Sequence, residues 1–247
     1  MSTGHMSTEQ NSGDVHLDLT LPPGEPLAGP WRPLSITDLA AQLLAPALEA
    51  QATRCVLAVD GRGGAGTSTL AARIAAAVPA AVLIATDDLA WNEPMFGWSD
   101  LALEHVLAPY RAGEDVSFRP PAWERHGRDG VIEVARTTPL LVLEGTGAAQ
   151  RALVEHLDAV VWVQSDGPTA ERLGLARDVA AGTNGDEAAA TAFWHEWMAH
   201  ENPFLDADRP WERADLVVAG TRDLSPEEEA EPDERVLVAQ PPARERT

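Results

Sequence analysis

The chain contains no lysine. All 18 of its basic side chains are arginine, set against 39 acidic residues, for a net charge of −21. So acidic a balance argues against nucleic acid or an anionic membrane as partner, because both recruit a basic face. A polyanionic ligand would have to be held by backbone amides and a few arginines, against an unfavourable overall field. The one cysteine, Cys55, excludes an intramolecular disulfide. At the start of an apolar run it reads as core packing and not as a nucleophile. No apolar run reaches membrane-spanning length and no secretory leader is recognisable, so a cytoplasmic protein is the expectation. An apolar content of 45% over 247 residues suits one α/β domain with decorations.

What is present is an alternation of short apolar runs and amphipathic stretches. Residues 54–60 (RCVLAVD), 81–86 (AVLIAT), 139–144 (PLLVLE), 159–163 (AVVWV) and 214–218 (ADLVV) read as buried strands. Between and around them, residues 37–52, 68–78, 101–111, 149–156, 169–181 and 187–201 read as helices. The first has Ser35 or Thr37 as its cap and Pro46 as a kink point. Such alternation predicts a doubly wound parallel sheet. Residues 112–138 interrupt it and read as an inserted substrate-binding segment. Residues 1–6 (MSTGHM) look like a tag remnant, and the Pro/Gly-rich stretch to residue 33 like a disordered lead-in. The domain is then expected over 34–222, with a lid at about 169–201. The acidic, Pro-rich residues 223–247 are expected to be disordered.

The stretch Val59–Leu70 (VDGRGGAGTSTL) sits between a predicted strand and a predicted helix. It follows the P-loop pattern G-x-x-x-x-G-K-[ST], with Gly61, Gly66 and Ser68 in register and Thr67 in the lysine's place. Glycines at 61, 63, 64 and 66 let the backbone turn tightly and aim its amides inward, forming an anion nest with the helix N-terminus. Gly61, Gly63, Gly64, Ala65, Gly66, Thr67, Ser68 and Thr69 are the candidate nucleotide cradle, and Ser68 a Mg²⁺ ligand. Thr67 brings no positive charge to the phosphates, and Arg62, inside the loop, is the nearest substitute. The plainer alternative for Arg62 is a solvated loop residue.

Asp87 and Asp88 follow a buried strand, and Glu144 ends another. Ligands collect at the carboxyl ends of strands in such sheets. A carboxylate there can accept a hydroxyl proton or approach a metal ion. A helix cap or turn is the alternative reading of the aspartates.

With these segments in hand, the chain resembles the uridine kinase-like branch of P-loop kinases, particularly its small actinobacterial members. The resemblance is carried by DGRGGAGTSTLA, TDDLAW with GWSDL, RPPAWERHGR, LLVLEGTGA, the helix containing ARD, and FWHEWMAHENPFLDADRPWERADLVV. It implies a nucleoside-kinase-like fold, ATP or GTP with Mg²⁺ as cofactors, and a small hydroxyl acceptor. It also implies Asp87 as the acceptor's base, with Glu144 near Mg²⁺. The inserted segment would line the substrate pocket through Trp123, Arg125 and Arg128 beside Asp88, and the lid helix would carry Arg172 and Arg177. Two features depart from the pattern. The loop lysine is Thr67, and Leu173 and Gly174 stand where such lids cluster arginines.

His195 and His200 are five residues apart, about 140° around a helix, so they do not share a face as a zinc-binding pair would. Three functions remain: a kinase acting on a nucleoside or similar metabolite, a nucleotide- or phosphate-binding protein that no longer transfers, and a P-loop enzyme turned to other chemistry. A homodimer is compatible with each.

Overall fold

The computed structural model describes residues 14–182, 184–223 and 235–242. Its centre is a seven-stranded sheet built from β1 (Arg32–Ser35), β2 (Cys55–Gly61), β3 (Val82–Ala85), β6 (Leu140–Glu144), β7 (Ala159–Gln164), β8 (Leu216–Ala219) and β9 (Arg235–Ala239). The spatial order is β1-β9-β8-β7-β2-β6-β3. From β8 to β3 every pairing is parallel, while β9 runs antiparallel to both β8 and β1. The expected parallel sheet is therefore present, with a two-strand antiparallel edge added.

Alternation along the strands divides the core between the two faces. Val56, Ala58, Leu141, Leu143, Val160 and Trp162 belong to one cluster, and Leu57, Val59, Leu140, Val142, Val161 and Val163 to the other. Helices α1 (Ile36–Glu49) and α2 (Thr67–Ala77) cover the second face. The first face is covered by α3 (Thr86–Ala90) and a helical rod made of α4 (Ser99–Ala102), a π-helical turn (Leu103–Leu107) and α5 (Ala108–Ala112). Both faces being dry, β2 reads as an unbroken apolar run, and all seven of its residues are buried. Ser35 caps α1: its hydroxyl accepts from the Asp38 amide at 3.0 Å. No helix among the described residues is long and apolar enough to cross a membrane.

The inserted segment folds as a hairpin of β4 (Val116–Phe118) and β5 (Ile132–Val134) around α6 (Pro121–His126). The lid is a helix pair, α7 (Gly167–Ala181) and α8 (Glu187–Asp208). Helix α8 continues past Glu201 and through Pro203 for two further turns, because Leu205 is fully buried and Phe204 stacks on Phe96 at 4.0 Å between ring centroids.

Two segments depart from the sequence expectation. Residues 14–33 are not a loose lead-in but a strap packed on the domain: Leu17, Ala28 and Trp31 are buried, and Val15 bridges to Trp31. The strap is tied down by the Thr20 amide donating to Asp166 at 2.9 Å and the Ala28 amide donating to Gln164 at 2.9 Å. The tail, expected to be disordered from residue 223, contains β9, whose Val238 and Ala239 are buried. The remaining lead-in and tail residues lie outside the described ones.

Candidate active site at the glycine loop

Strand β2 ends in Gly61, and the chain turns through residues 62–66 into α2. Gly66 caps α2 in the left-handed conformation, with φ of +96°, and no side chain accepts from the helix's first amides. A glycine takes this conformation without the strain a Cβ would bring. The start of α2 thus keeps its amide donors and positive dipole end for an anion. The loop is clasped from outside. Thr221, after β8, donates its hydroxyl to the Gly64 carbonyl at 2.7 Å and its amide to the Ala65 carbonyl at 2.9 Å. From inside, the fully buried Asp60 carboxylate accepts from the amides of Gly61, Gly147 and Ala149 at 2.7, 2.9 and 2.8 Å. It thereby joins the loop after β2 to the loop after β6.

Where these strand ends converge, the Ser68 hydroxyl donates to Glu144 at 3.1 Å, and the Thr67 side chain hydrogen-bonds to the same carboxylate. Burial pushes the Glu144 carboxyl above the usual range, and the charges of Asp87 and Asp88 add to the effect against the two hydroxyls. Asp87, at the start of α3, is open to solvent yet surrounded by protein. Desolvation raises its carboxyl first, then Asp88 and Asp178, while the Arg177 guanidinium opposes them. The fold therefore brings Thr67, Ser68 and Glu144 into contact, with Asp87 within electrostatic reach of Glu144 and Arg177 within reach of Asp87. No group of three or more His, Cys, Asp or Glu side chains that could hold a metal occurs among the described residues. The hydroxyl and carboxylate pair does suit Mg²⁺, which takes one or two carboxylates and completes its shell with water and phosphate oxygens.

The inserted segment meets this centre through Asp88. Arg128 forms an ion pair with the Asp88 carboxylate, and the Trp123 indole donates to the Asp88 carbonyl at 2.9 Å. The Arg128 guanidinium lies 3.8 Å from the Trp123 ring centroid and 5.5 Å from that of Trp91, within cation–π range of both. Arg125 instead pairs with Glu93 at 3.0 Å on the surface. Of the lid arginines, Arg177 pairs with Asp178 at 2.8 Å near Asp87, while the exposed Arg172 pairs with Asp223 at 3.0 Å. Thr69 is exposed on α2.

Arg62 is neither solvated nor free for a phosphate. It donates to Glu25 of the strap at 2.8 Å and to Asn202 of α8 at 3.0 Å, and it lies over the Trp211 ring. Glu25 also accepts from Trp162 at 2.7 Å and Gln164 at 3.0 Å. The lysine substitution expected of Arg62 is not what this geometry provides.

Three site residues escape the motif reading: Asp60, Glu25 and Glu201. Glu201, fully buried on α8, accepts from the Gly63 amide at 2.9 Å and from Trp197 at 2.6 Å. Burial pushes its carboxyl up, against these two donors and Arg62. A signal for it exists in the sequence, since Trp194, Trp197 and Glu201 fall at i, i+3 and i+7 and share one helix face.

The sheet order, the glycine loop leading into α2 and the carboxylates at neighbouring strand ends make this a largely parallel α/β fold with a P-loop-like turn after β2. No protein-family model and no curated protein matches the chain. Among solved structures, it is similar in outline to a possible uridine kinase from Bacillus stearothermophilus, with a TM-score of 0.47 at 16% identity over 73% of this chain and 97% of that one. It is likewise similar to a candidate fructose transport system kinase from Silicibacter sp. TM1040, with a TM-score of 0.44 at 18% identity over 73% of this chain and 95% of that one.

Proposed function

We propose that the chain binds a Mg²⁺–nucleoside triphosphate, ATP or GTP, at the glycine loop and transfers its terminal phosphoryl group to a hydroxyl of a small metabolite such as a nucleoside. The observation that carries this reading is the meeting of Ser68, Glu144 and Asp87 beside the uncapped start of α2. The α2 amides would hold phosphate oxygens, and Ser68 and Glu144 would hold Mg²⁺, which when bound offsets charge on the phosphates. Asp87 would take the proton of the acceptor hydroxyl. The acceptor oxygen forms a bond to phosphorus, the bond to the bridging oxygen breaks, and the nucleoside diphosphate leaves. The raised carboxyl of Asp87 makes it a better proton acceptor than an ordinary surface aspartate. Arg177 is the cation acting on this centre, and the acceptor would lie against Asp88, Trp123 and Arg128.

A second reading, binding without transfer, is favoured by one observation. The residue in the lysine position, Thr67, bonds to Glu144 and supplies no charge to a phosphate. Titration calorimetry with MgATP and MgGTP, followed by a transfer assay across nucleosides, separates the readings. Binding with transfer supports the kinase, binding without transfer supports the silent P-loop, and no binding up to millimolar nucleotide overturns both.

A further inference from the structure

Two contacts bring the lid helices down onto the glycine loop, and a third packs the lid helices on each other. The Glu201 carboxylate takes the Gly63 amide, at 2.9 Å. A Cβ at Gly64 would lie 2.6 Å from the Ala170 carbonyl of α7, so the loop and α7 approach as closely as their backbones permit. A Cβ at Gly174 would lie 2.7 Å from the Trp194 ring, so α7 accepts this tryptophan of α8 only because position 174 has no side chain. Gly174 is one of the two positions where an arginine would be expected in such a lid. Its presence is thus explained by packing against the Trp194 ring.

Glu201 is the unusual member of the set. It is fully buried, one of its oxygens serves both Gly63 and Trp197, and the other, Oε1, has no hydrogen-bond partner. The nearest opposite charge to Oε1 is Arg62, at 3.9 Å, and Arg62 is already neutralised by Glu25 at 2.8 Å. A buried carboxylate oxygen left unpaired is costly, so this arrangement holds only where the remaining contacts are strong. The Gly63 amide and the Trp197 indole are such contacts: they favour the ionised carboxylate against the burial that pushes it up, and hydrogen bonds to a charged acceptor are about twice as strong as neutral ones.

We infer that Glu201 is a latch: its carboxylate stands in for an anion at the Gly63 amide, holds α8 against the glycine loop, and must be displaced before a polyphosphate can settle on that amide. The inference rests on the proposed reading that the loop takes a phosphate. It adds that the Gly63 amide is held by the protein's own carboxylate while the start of α2 stays uncapped, so that a ligand competes with Glu201 at that one amide. Arg62 backs the latch from the strap side, while the like charge of Glu25 opposes it. Trp197 orients it, and the unpaired Oε1 favours its release once a stronger anion arrives.

The test uses the full chain, with inorganic tripolyphosphate as the probe. Titration calorimetry is compared for the wild type, Glu201→Ala and Trp197→Phe, and hydrogen exchange is followed at the Gly63 amide in each without ligand. Glu201→Ala should bind tripolyphosphate at least about tenfold more tightly, the factor given by removing one charge-assisted competitor. It should also expose the Gly63 amide to faster exchange. Trp197→Phe, which keeps an aromatic ring but removes the donor together with the five-membered ring that carries it, should shift both in the same direction by less. Equal affinity in all three proteins overturns the latch and leaves the phosphate-binding reading standing. An unchanged Gly63 exchange rate in Glu201→Ala overturns it as well. If no protein binds tripolyphosphate or MgATP while Gly63 exchange accelerates in Glu201→Ala, the docking role of Glu201 is upheld and the phosphate-binding reading is the part that fails.

Discussion

The carboxylate of Glu25 meets the guanidinium of Arg62 at 2.8 Å, across 37 residues of sequence and with both side chains almost wholly buried. This pair joins the N-terminal strap to the glycine loop. It also explains why a cation beside a lysine-free loop does not serve that loop: Arg62 is held by Glu25 and Asn202. Removing one member of a buried pair leaves the other charged and unsolvated, which typically costs about 3–5 kcal/mol.

Glu25→Ala should therefore lower the unfolding free energy by about 3–5 kcal/mol, and it also strips acceptors from Trp162 and Gln164. Replacing both members with methionine should recover the part of the loss due to the stranded Arg62 charge, but not the part due to the acceptors taken from Trp162 and Gln164. Urea denaturation of the single and double variants measures this. A Glu25→Ala protein within about 1 kcal/mol of wild type would mean that the pair behaves as a surface contact.

The parts of the site that lie at strand ends were legible because their signal is local. Ser68 follows a glycine loop, and Asp87 and Glu144 each terminate an apolar run, so the rule for parallel sheets places them together. The contributions of Glu25 and β9 were not legible, because each depends on a distant partner. Glu25 lies in a Pro/Gly-rich stretch whose composition reads as disordered, and nothing near it indicates a buried arginine. Strand β9 (RVLVA) sits in an acidic tail and gains its place only by pairing with β1 and β8, with Val238 opposite both Arg32 and Val218. Gly174 was visible as a departure from the lid pattern, but its reason lies in the Trp194 ring packed against it.

Thr67→Lys tests what the missing ammonium costs. Thr67 is nearly buried and its side chain bonds to Glu144, so a lysine there would have a carboxylate nearby as well as any phosphate on the loop. MgATP affinity measured by calorimetry should rise at least about tenfold, in line with one added charge-assisted contact. Turnover should rise with it if the chain is a kinase. Tighter binding with no transfer to any nucleoside would favour the silent reading.

Asp87→Asn should lower the transfer rate by roughly 10²–10⁴ while leaving MgATP affinity within about threefold, because a positioned base supplies about that factor in rate and little ground-state binding. The base must be deprotonated to work, and the Asp87 carboxyl is raised by burial and by Asp88. The acidic limb of kcat/KM should thus lie above the usual carboxylate range. Arg177 lowers that carboxyl, so Arg177→Ala should move the limb to still higher pH. A limb that does not move would detach Arg177 from the base.

Asp60 gives the fold its own pH dependence. Burial pushes its carboxyl up to about 7, with the amides of Ala149, Gly147 and Gly61 opposing and Asp208 adding. In the unfolded chain an aspartate titrates near 3.9, at about its ordinary value. Between these limits the folded protein binds more protons than the unfolded one. Its contribution is fully present below the unfolded value and is lost as pH rises through about 7. Thermal unfolding should accordingly show a lower Tm at pH 8 than at pH 6. Asp60→Asn cannot titrate, so it should shrink that difference. It should also lower Tm at both pH values, because an asparagine offers a single acceptor oxygen where three amides donate. A variant that keeps the full pH difference would show that another buried carboxylate, Glu144 or Glu201, carries it.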